Sequence, residues 1–298
     1  SAGDSEADRS SHCGFSVCST KRTPRATVQA WAKINHSERN MGNPAKGQGM
    51  AKTAEIEGYL SEALSVAQFK DYGPNGLQVE GRSEVRSLVS GVTASLAFIE
   101  AALASGADLL LVHHGLFWRG QDGRLTGWLR RRLAPLFAAE ANLLAYHLPL
   151  DAHPQWGNNA QLGRRLGWQA DRQFGEQMLG FSAALPQATA LGALGEQLQA
   201  VLGRPVTLLP GDGRPLRRVA WCTGGAQSYF EAAIAAGADV FVTGEISEPQ
   251  LHLARETGVA FVAAGHHATE RYGVQALGEH LAERFGLQHR FIDVENPA

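Results

Sequence analysis

From Met50 to the end of the chain, short apolar runs alternate with stretches whose apolar residues recur at helical spacing. Ile56, Tyr59, Leu60 and Leu64 predict a first helix over 55–65. The turn cluster Asp71-Tyr-Gly-Pro-Asn-Gly76 follows, then strands over 77–79 and 85–92. A helix over 94–105 stops at Gly106, and strand 109–112, helix 128–139, strand 143–146 and helix 159–166 come next. The second half keeps the rhythm, with a helix over 192–202 and strands over 206–209 and 219–222. Helix 229–236, strand 240–242, helix 248–257, strand 259–263, helix 269–285 and strand 289–294 complete it. Strands alternating with helices predict an α/β fold of parallel, helix-covered sheets.

The pattern repeats in its letters as well. Residues 100–108 read Glu-Ala-Ala-Leu-Ala-Ser-Gly-Ala-Asp and residues 231–239 read Glu-Ala-Ala-Ile-Ala-Ala-Gly-Ala-Asp, identical at seven of nine positions. Each copy runs into an apolar strand, and each half later offers an apolar run ending in histidine with an acid four residues on: His147 and Asp151, then His266 and Glu270. Such self-similarity predicts two related α/β units from an internal duplication, with a metal site between them. The first domain is expected over 51–175, completed by the C-terminal strand in 287–298, and the second over 176–286, with the crossing near 168–186.

Residues 1–49 differ in kind. Rich in Ser, Arg, Lys, Asn and Gly, they lack periodicity and the apolar run of a secretory signal. They read as a disordered tail or an extraneous leader before a natural start at Met50, and Cys13 and Cys18 have no second pair to complete a zinc site. A net charge of −2 supplies no global attraction to nucleic acid. The apolar runs are too short for a membrane span, and three cysteines are too few for a disulfide framework, so a cytoplasmic protein is expected.

The chemistry gathers at predicted strand ends. His113 and His114 follow the apolar run 109–112, where a turn assisted by Gly115 can aim both rings at one place. His147 and Asp151 lie beyond another strand, with Pro149 between them arguing against a regular helix. His266 and Glu270 sit where a third strand hands over to a helix, four apart and on one face. Any one of these alone reads as a packed core residue or a loop acid. Together they form an imidazole and carboxylate set without cysteine, which suits Zn, Fe, Mn, Co or Ni, with ligands enough for two divalent metal ions and a bridging acid.

These segments resemble the dinuclear-metal-centre proteins, YbgI-like and commonly labelled GTP cyclohydrolase 1 type 2 homologues. The likeness rests on Asp71-Tyr-Gly-Pro-Asn-Gly-Leu-Gln-Val-Glu-Gly81, Val112-His-His-Gly115 with Phe117-Trp118, and His147-Leu-Pro-Leu-Asp-Ala-His153. It continues in Thr243-Gly-Glu-Ile-Ser247, Gly265-His-His-Ala-Thr-Glu270 and the closing Phe291–Ala298, and so spans the chain from Met50 onward. The resemblance implies that His113, His114, Asp151, His266 and Glu270 hold two metals, bridged by Glu270 or Asp151. It places His147 close by, as ligand or supporting donor, leaves His267 outside the site, and implies a toroidal homohexamer. The activity it implies is hydrolytic opening of a purine nucleotide ring at guanine C8, with His147 transferring the proton. Asn75, Phe117, Trp118 and Glu245 are expected near the substrate, the two aromatics as stacking surfaces for a base. Phosphoester hydrolysis on nucleotides or nucleic-acid ends is the alternative activity, and a ring-forming, DNA-associated factor with structural metals is the non-catalytic one. Arg130–Arg132, Arg164–Arg165 and Arg217–Arg218 read first as solvated faces and second as phosphate contacts.

Overall fold

The computed structural model describes residues 49–298, so the tail or leader expected over 1–49, and with it Cys13 and Cys18, lies outside the described residues except for Gly49. The first half runs β1 (Ala51–Lys52), α1 (Thr53–Ala63), β2 (Gly76–Val79), β3 (Glu84–Val85), β4 (Ser87–Thr93), α2 (Leu96–Ala104), β5 (Leu109–His114), α3 (Gly127–Ala138), β6 (Asn142–Ala145), α4 (Leu148–Ala152) and α5 (Asn158–Leu166). There follow β7 (Arg172–Phe174), β8 (Gly180–Thr189), α6 (Leu191–Leu202), β9 (Thr207–Leu209), β10 (Leu216–Trp221), α7 (Phe230–Ala235), β11 (Val240–Thr243), α8 (Pro249–Thr257), β12 (Ala260–Ala263), α9 (His266–Phe285) and β13 (Gln288–Phe291). The class is α/β, and no helix among the described residues is long and apolar enough to cross a membrane.

One sheet has the order β13-β4-β5-β6-β2, with its first four strands parallel and β2 antiparallel at the edge. The other has the order β7-β8-β10-β11-β12-β9, and only β10, β11 and β12 run parallel. Neither of these sheets is purely parallel, unlike the parallel sheets expected: the first ends in an antiparallel edge and the second is parallel only at its centre. Parallel neighbours need a long crossover, whereas the short 175–179 link returns β8 directly against β7. Both sheets are covered on both faces. In β5, Leu109 and Leu111 face the side of α1 and α9, while Leu110 and Val112 face the side of α2 and α3. In β11, Val240 and Val242 face α5 and α6, and Phe241 faces α7 and α8. Burial on both faces is why these strands read as unbroken apolar runs.

The nine-residue repeat closes the same joint twice. Gly106 (φ +80°) and Gly237 (φ +81°) take the left-handed turn after α2 and α7. Their N–H groups donate to Leu103 and Ile234 carbonyls at 2.9 Å each, and the next alanines, Ala107 and Ala238, donate to Ala102 and Ala233. The repeat's aspartate then clamps the strand beside it: Asp108 Oδ2 accepts from Arg86 and Ser87 N–H, Asp239 Oδ2 from Arg217 and Arg218 N–H. The repeated letters thus set how β5 and β11 enter their sheets.

Three expectations need correction. The 168–186 segment is not a bare crossing: it holds β7 and most of β8, so the second sheet begins at Arg172, inside the span assigned to the first domain. Beyond Ser182, β8 has no partner on its β7 side and carries Pro186, which hid the strand pattern. The long helix α9, placed with the second domain, packs on β4, β5, β13 and α5 of the first. Pro149 does not prevent a helix, because it stands in the opening turn of the short α4, where its missing N–H is not needed.

Two histidines of this scaffold set an acid limit on stability. His280 stacks on Trp156 with ring centroids 4.0 Å apart, and His289 bonds Ser90 Oγ at 2.8 Å. Burial pushes both rings from 6.5 down to about 4, with Arg284 adding to the effect at His280. The unfolded chain takes up these protons first, so the contribution of these two rings is whole above pH 6.5 and is lost as pH falls toward about 4. Melting temperatures should decline steadily through that window; a flat profile would contradict the assignment.

Candidate metal centre

The site forms where α9 leaves the second sheet and crosses onto the first. After β12, Gly265 (φ +100°) turns the chain so that α9 starts at His266, three residues earlier than its periodicity predicts. His266 and Glu270 then lie one turn apart, with Nε2 to Oε2 at 3.1 Å. From the first sheet, β5 runs through both His113 and His114 instead of ending before them. The two rings splay toward opposite neighbours: His113 Nδ1 donates to the Tyr146 carbonyl beyond β6 (2.9 Å), and His114 Nδ1 bonds Thr93 Oγ1 at the end of β4 (3.1 Å). Their Nε2 atoms converge again above the strand on Glu270, at 3.4 Å from Oε1 and 3.2 Å from Oε2.

The same device holds the other rings. His147 Nδ1 donates to Asp71 Oδ1 at 2.6 Å, and His266 Nδ1 donates to Glu245 Oε1 at 2.7 Å. With each Nδ1 engaged, the Nε2 lone pairs are free for a ligand, the arrangement that metal-binding imidazoles use to fix their tautomer. Asp151, on α4, brings Oδ2 to 3.6 Å from His113 Nε2, while its Oδ1 accepts from Asn158 Nδ2 at 2.9 Å. Ligand atoms of His113, Asp151 and Glu270 form one close group, those of His114, His266 and Glu270 a second, and those of His113, His114 and His147 a third.

These residues fit a metal better than they fit each other. Among the described residues, His113 Nε2 and Glu270 Oε2 are buried without a hydrogen-bond partner. Leaving such atoms dry and unpaired is unfavourable. Bonds of 2.0–2.1 Å around a tetrahedral ion separate its ligand atoms by about 3.4 Å. The 3.1–3.6 Å contacts here match that spacing while failing hydrogen-bond geometry. The hard and borderline donor set suits a divalent ion.

The electrostatics are those of a charged cluster kept from water. Burial opposes a charge on His113, but Asp151 and Glu270 outweigh it and push the ring up to about 9. His266 is likewise raised to about 9, burial being overcome by Glu270 and Glu245. His114, buried and facing three other imidazoles, is pushed down to about 3. Burial raises Asp151, whereas at Glu270 His113 and His114 outweigh burial and hold the carboxyl well below its usual range.

The remaining expected residues divide. Trp118 lies against the centre, its ring 5.1 Å from that of His147 and 5.9 Å from that of His114. Phe117 does not; it packs on the first sheet's core with Leu116. Asn75 is a brace, its Oδ1 accepting from His147 N–H and its Nδ2 donating to Asp71. Glu245 backs His266 and remains partly exposed. His267 turns away to Asp293, and Arg218 is engaged by Asp171. Asp71, Thr93, Asn158 and Gly224 also support the site, with no signal of that role in the sequence. Asp71 stands in the turn cluster and in a segment that carries the resemblance, and its carboxylate accepts from His147, Asn75, Tyr72 N–H and Leu148 N–H. Burial would raise it, but His147 and these donors bring it down to about 2.

Fold and site together define an α/β protein of two main sheets whose halves meet at a buried histidine and carboxylate cluster able to bind metal. The chain belongs to the Duf34/NIF3 (NGG1p interacting factor 3) family, which it matches over residues 51–297. It is 54% identical over 240 residues to a GTP cyclohydrolase 1 type 2 homolog of Neisseria meningitidis serogroup B, covering 80% of this chain and 96% of the relative. A relative of the same name in Escherichia coli K12 is 47% identical over 249 residues, covering 83% of this chain and all of that one (100%). Among solved structures, protein ybgI, described as of unknown function, superposes with a TM-score of 0.80 at 46% identity, over 83% of this chain and 100% of that one.

Proposed function

We propose that the protein is a hydrolase with a dinuclear metal centre, acting on a purine nucleotide. The observation that carries the reading is the convergence of His113, His114 and His266 Nε2 on the two oxygens of the buried Glu270. His113 and Asp151 would hold one ion and His114 and His266 a second, with Glu270 common to both groups. Bound there, divalent ions supply Lewis acidity and lower the pKa of water toward neutrality. The chain supplies the rest. His147, fixed through Nδ1 by Asp71, offers Nε2 to take and return a proton, and Trp118 beside it offers a flat surface to a base. The nucleotide is inferred from the name the relatives carry, GTP cyclohydrolase 1 type 2 homolog. A toroidal homohexamer in the cytoplasm belongs to the same proposal, and light scattering tests the assembly.

The test is GTP turnover by metal-loaded protein with formate and phosphate read in parallel, alongside Asp151→Asn and Glu270→Gln. Formate release falling by at least about 100-fold in both variants is the expected result. Phosphate without formate would move the activity to phosphoester hydrolysis. Neither product from metal-loaded protein would overturn the nucleotide reading.

A further inference from the structure

The link between β7 and β8 holds a backbone conformation that its residues resist. Gln177 (φ +51°) and Met178 (φ +60°) both stand in the left-handed region. Hairpin links that need positive φ ordinarily take Gly, Asn or Asp, whose side chains are absent or bond their own backbone. Glutamine and methionine do neither, so contacts elsewhere have to offset the strain. The link is tied down along its length. Tyr229 Oη donates to the Glu176 carbonyl at 3.0 Å. The Leu179 carbonyl accepts from Asn159 Nδ2 at 3.2 Å, and the same amide group reaches the Asp151 carbonyl.

From this link the Gln177 carboxamide reaches into the first half of the molecule. Its Oε1 accepts from Lys70 N–H at 2.7 Å and its Nε2 donates to the Lys70 carbonyl at 3.1 Å. One amide side chain thus pairs with both polar backbone groups of one residue, 107 positions earlier in the chain. Phe69 beside it joins the apolar cluster of Phe174 and Leu179. Lys70 precedes Asp71, so the peptide plane that Gln177 holds sets the direction of that carboxylate. Asp71 in turn fixes His147 through Nδ1 at 2.6 Å and Leu148 through its N–H at 2.9 Å. Arg119 and Gln78 also grip this turn, at the Asp71 and Pro74 carbonyls, but both belong to the first half. Gln177 reaches it from the second. A link that served only to join β7 to β8 would gain from glycine at 177. A glutamine there, against its backbone preference, points to the side chain as the reason.

We propose that Gln177 is a positioning residue for the metal centre: by fixing Lys70 it aims Asp71 at His147, so that the second half sets the tautomer and orientation of a first-half imidazole. The proposal rests on the reading of His147 as part of that centre, and its test does not depend on turnover. Amide hydrogen exchange on the full, metal-free chain reads the 70–76 turn. Nitrogen NMR at mildly alkaline pH reads the His147 tautomer, with its signals assigned by their loss in His147→Gln. In wild type the turn should exchange slowly and Nδ1 should carry the proton. Gln177→Gly should melt no lower than Gln177→Ala, because glycine accepts the left-handed backbone. Both variants should nonetheless speed exchange over 70–76 by about tenfold and show His147 as a mixture of tautomers. Met178→Gly relaxes the neighbouring residue and leaves the carboxamide in place, so it should keep wild-type exchange and tautomer. Where wild type turns over GTP, kcat should fall by about tenfold in Gln177→Gly with KM little changed. Absence of turnover in wild type would count against the hydrolase alone, because exchange and tautomer still decide the role of Gln177. Unchanged exchange over 70–76, a single Nδ1–H tautomer in Gln177→Gly, or exchange raised equally along the whole chain would overturn the proposal.

Discussion

Gly224→Ala should strip the protein of metal affinity, whereas Gly237→Ala, placed under the same kind of backbone strain, should not. Both glycines hold left-handed backbone, φ +72° and φ +81°. A side chain there costs about 1–2 kcal/mol in either case. The surroundings differ. A methyl on Gly237 enters open space, while one on Gly224 falls onto Glu270 Oε1 and comes within 3.2 Å of His266 Nε2. Gly224 has no easy retreat, since its N–H donates to Thr269 Oγ1 and its carbonyl accepts from Gly244 N–H at 2.8 Å. The methyl therefore has to displace Glu270, the carboxylate common to two of the three ligand groups. Metal titration by calorimetry should show affinity reduced by about 10–100-fold in Gly224→Ala. Gly237→Ala should lose only melting temperature. Equal metal affinity in the two variants would mean that Glu270 does not define the centre.

That comparison also marks how far the sequence could be read. Apolar runs such as Leu109–Val112 and Val240–Val242 were legible because both faces of their strands are buried, and Gly106 and Gly237 announced the turns before them. The histidines and acids that converge were legible because each follows such a run, at the end of a sheet where side chains escape the packed interior. What supports them was not. Thr93, Asn158 and Asp71 are ordinary polar residues whose partners lie 21, 7 and 76 positions away in the chain. Only the fold brings those separations together. Phe117 and Trp118 show the same limit from the other side: neighbours in sequence, one faces the core and the other the metal centre. Alternation along an irregular loop cannot be assigned without knowing which way the loop leaves the strand.

Divalent metal should raise the melting temperature of this protein, and by more at alkaline than at acidic pH. Without metal, the ion pairs of His113 and His266 with Glu270 and its neighbours hold the cluster together, and both rings have been pushed from 6.5 up to about 9. Their contribution is fully present below pH 6.5 and is lost as pH rises through about 9. Metal reverses this dependence, because a ligating imidazole must give up its proton and binding therefore strengthens as pH rises. The metal-free protein should thus weaken toward alkaline pH while the metal-loaded one is held. A ligand at about 1,000 times its dissociation constant stabilises by about 4 kcal/mol, ample to read as a shift in melting temperature. Glu270→Gln should remove most of that gain, because an amide keeps the shape but offers an ion no charge on either side. It should also lower the raised pKa values of His113 and His266, which Asp151 and Glu245 still support, so the metal-free variant loses part of its alkaline dependence. Differential scanning fluorimetry with and without metal at pH 6 and pH 9 reads both effects. A metal shift that is equal at the two pH values, or unchanged in Glu270→Gln, would show that the ion binds somewhere other than at these histidines.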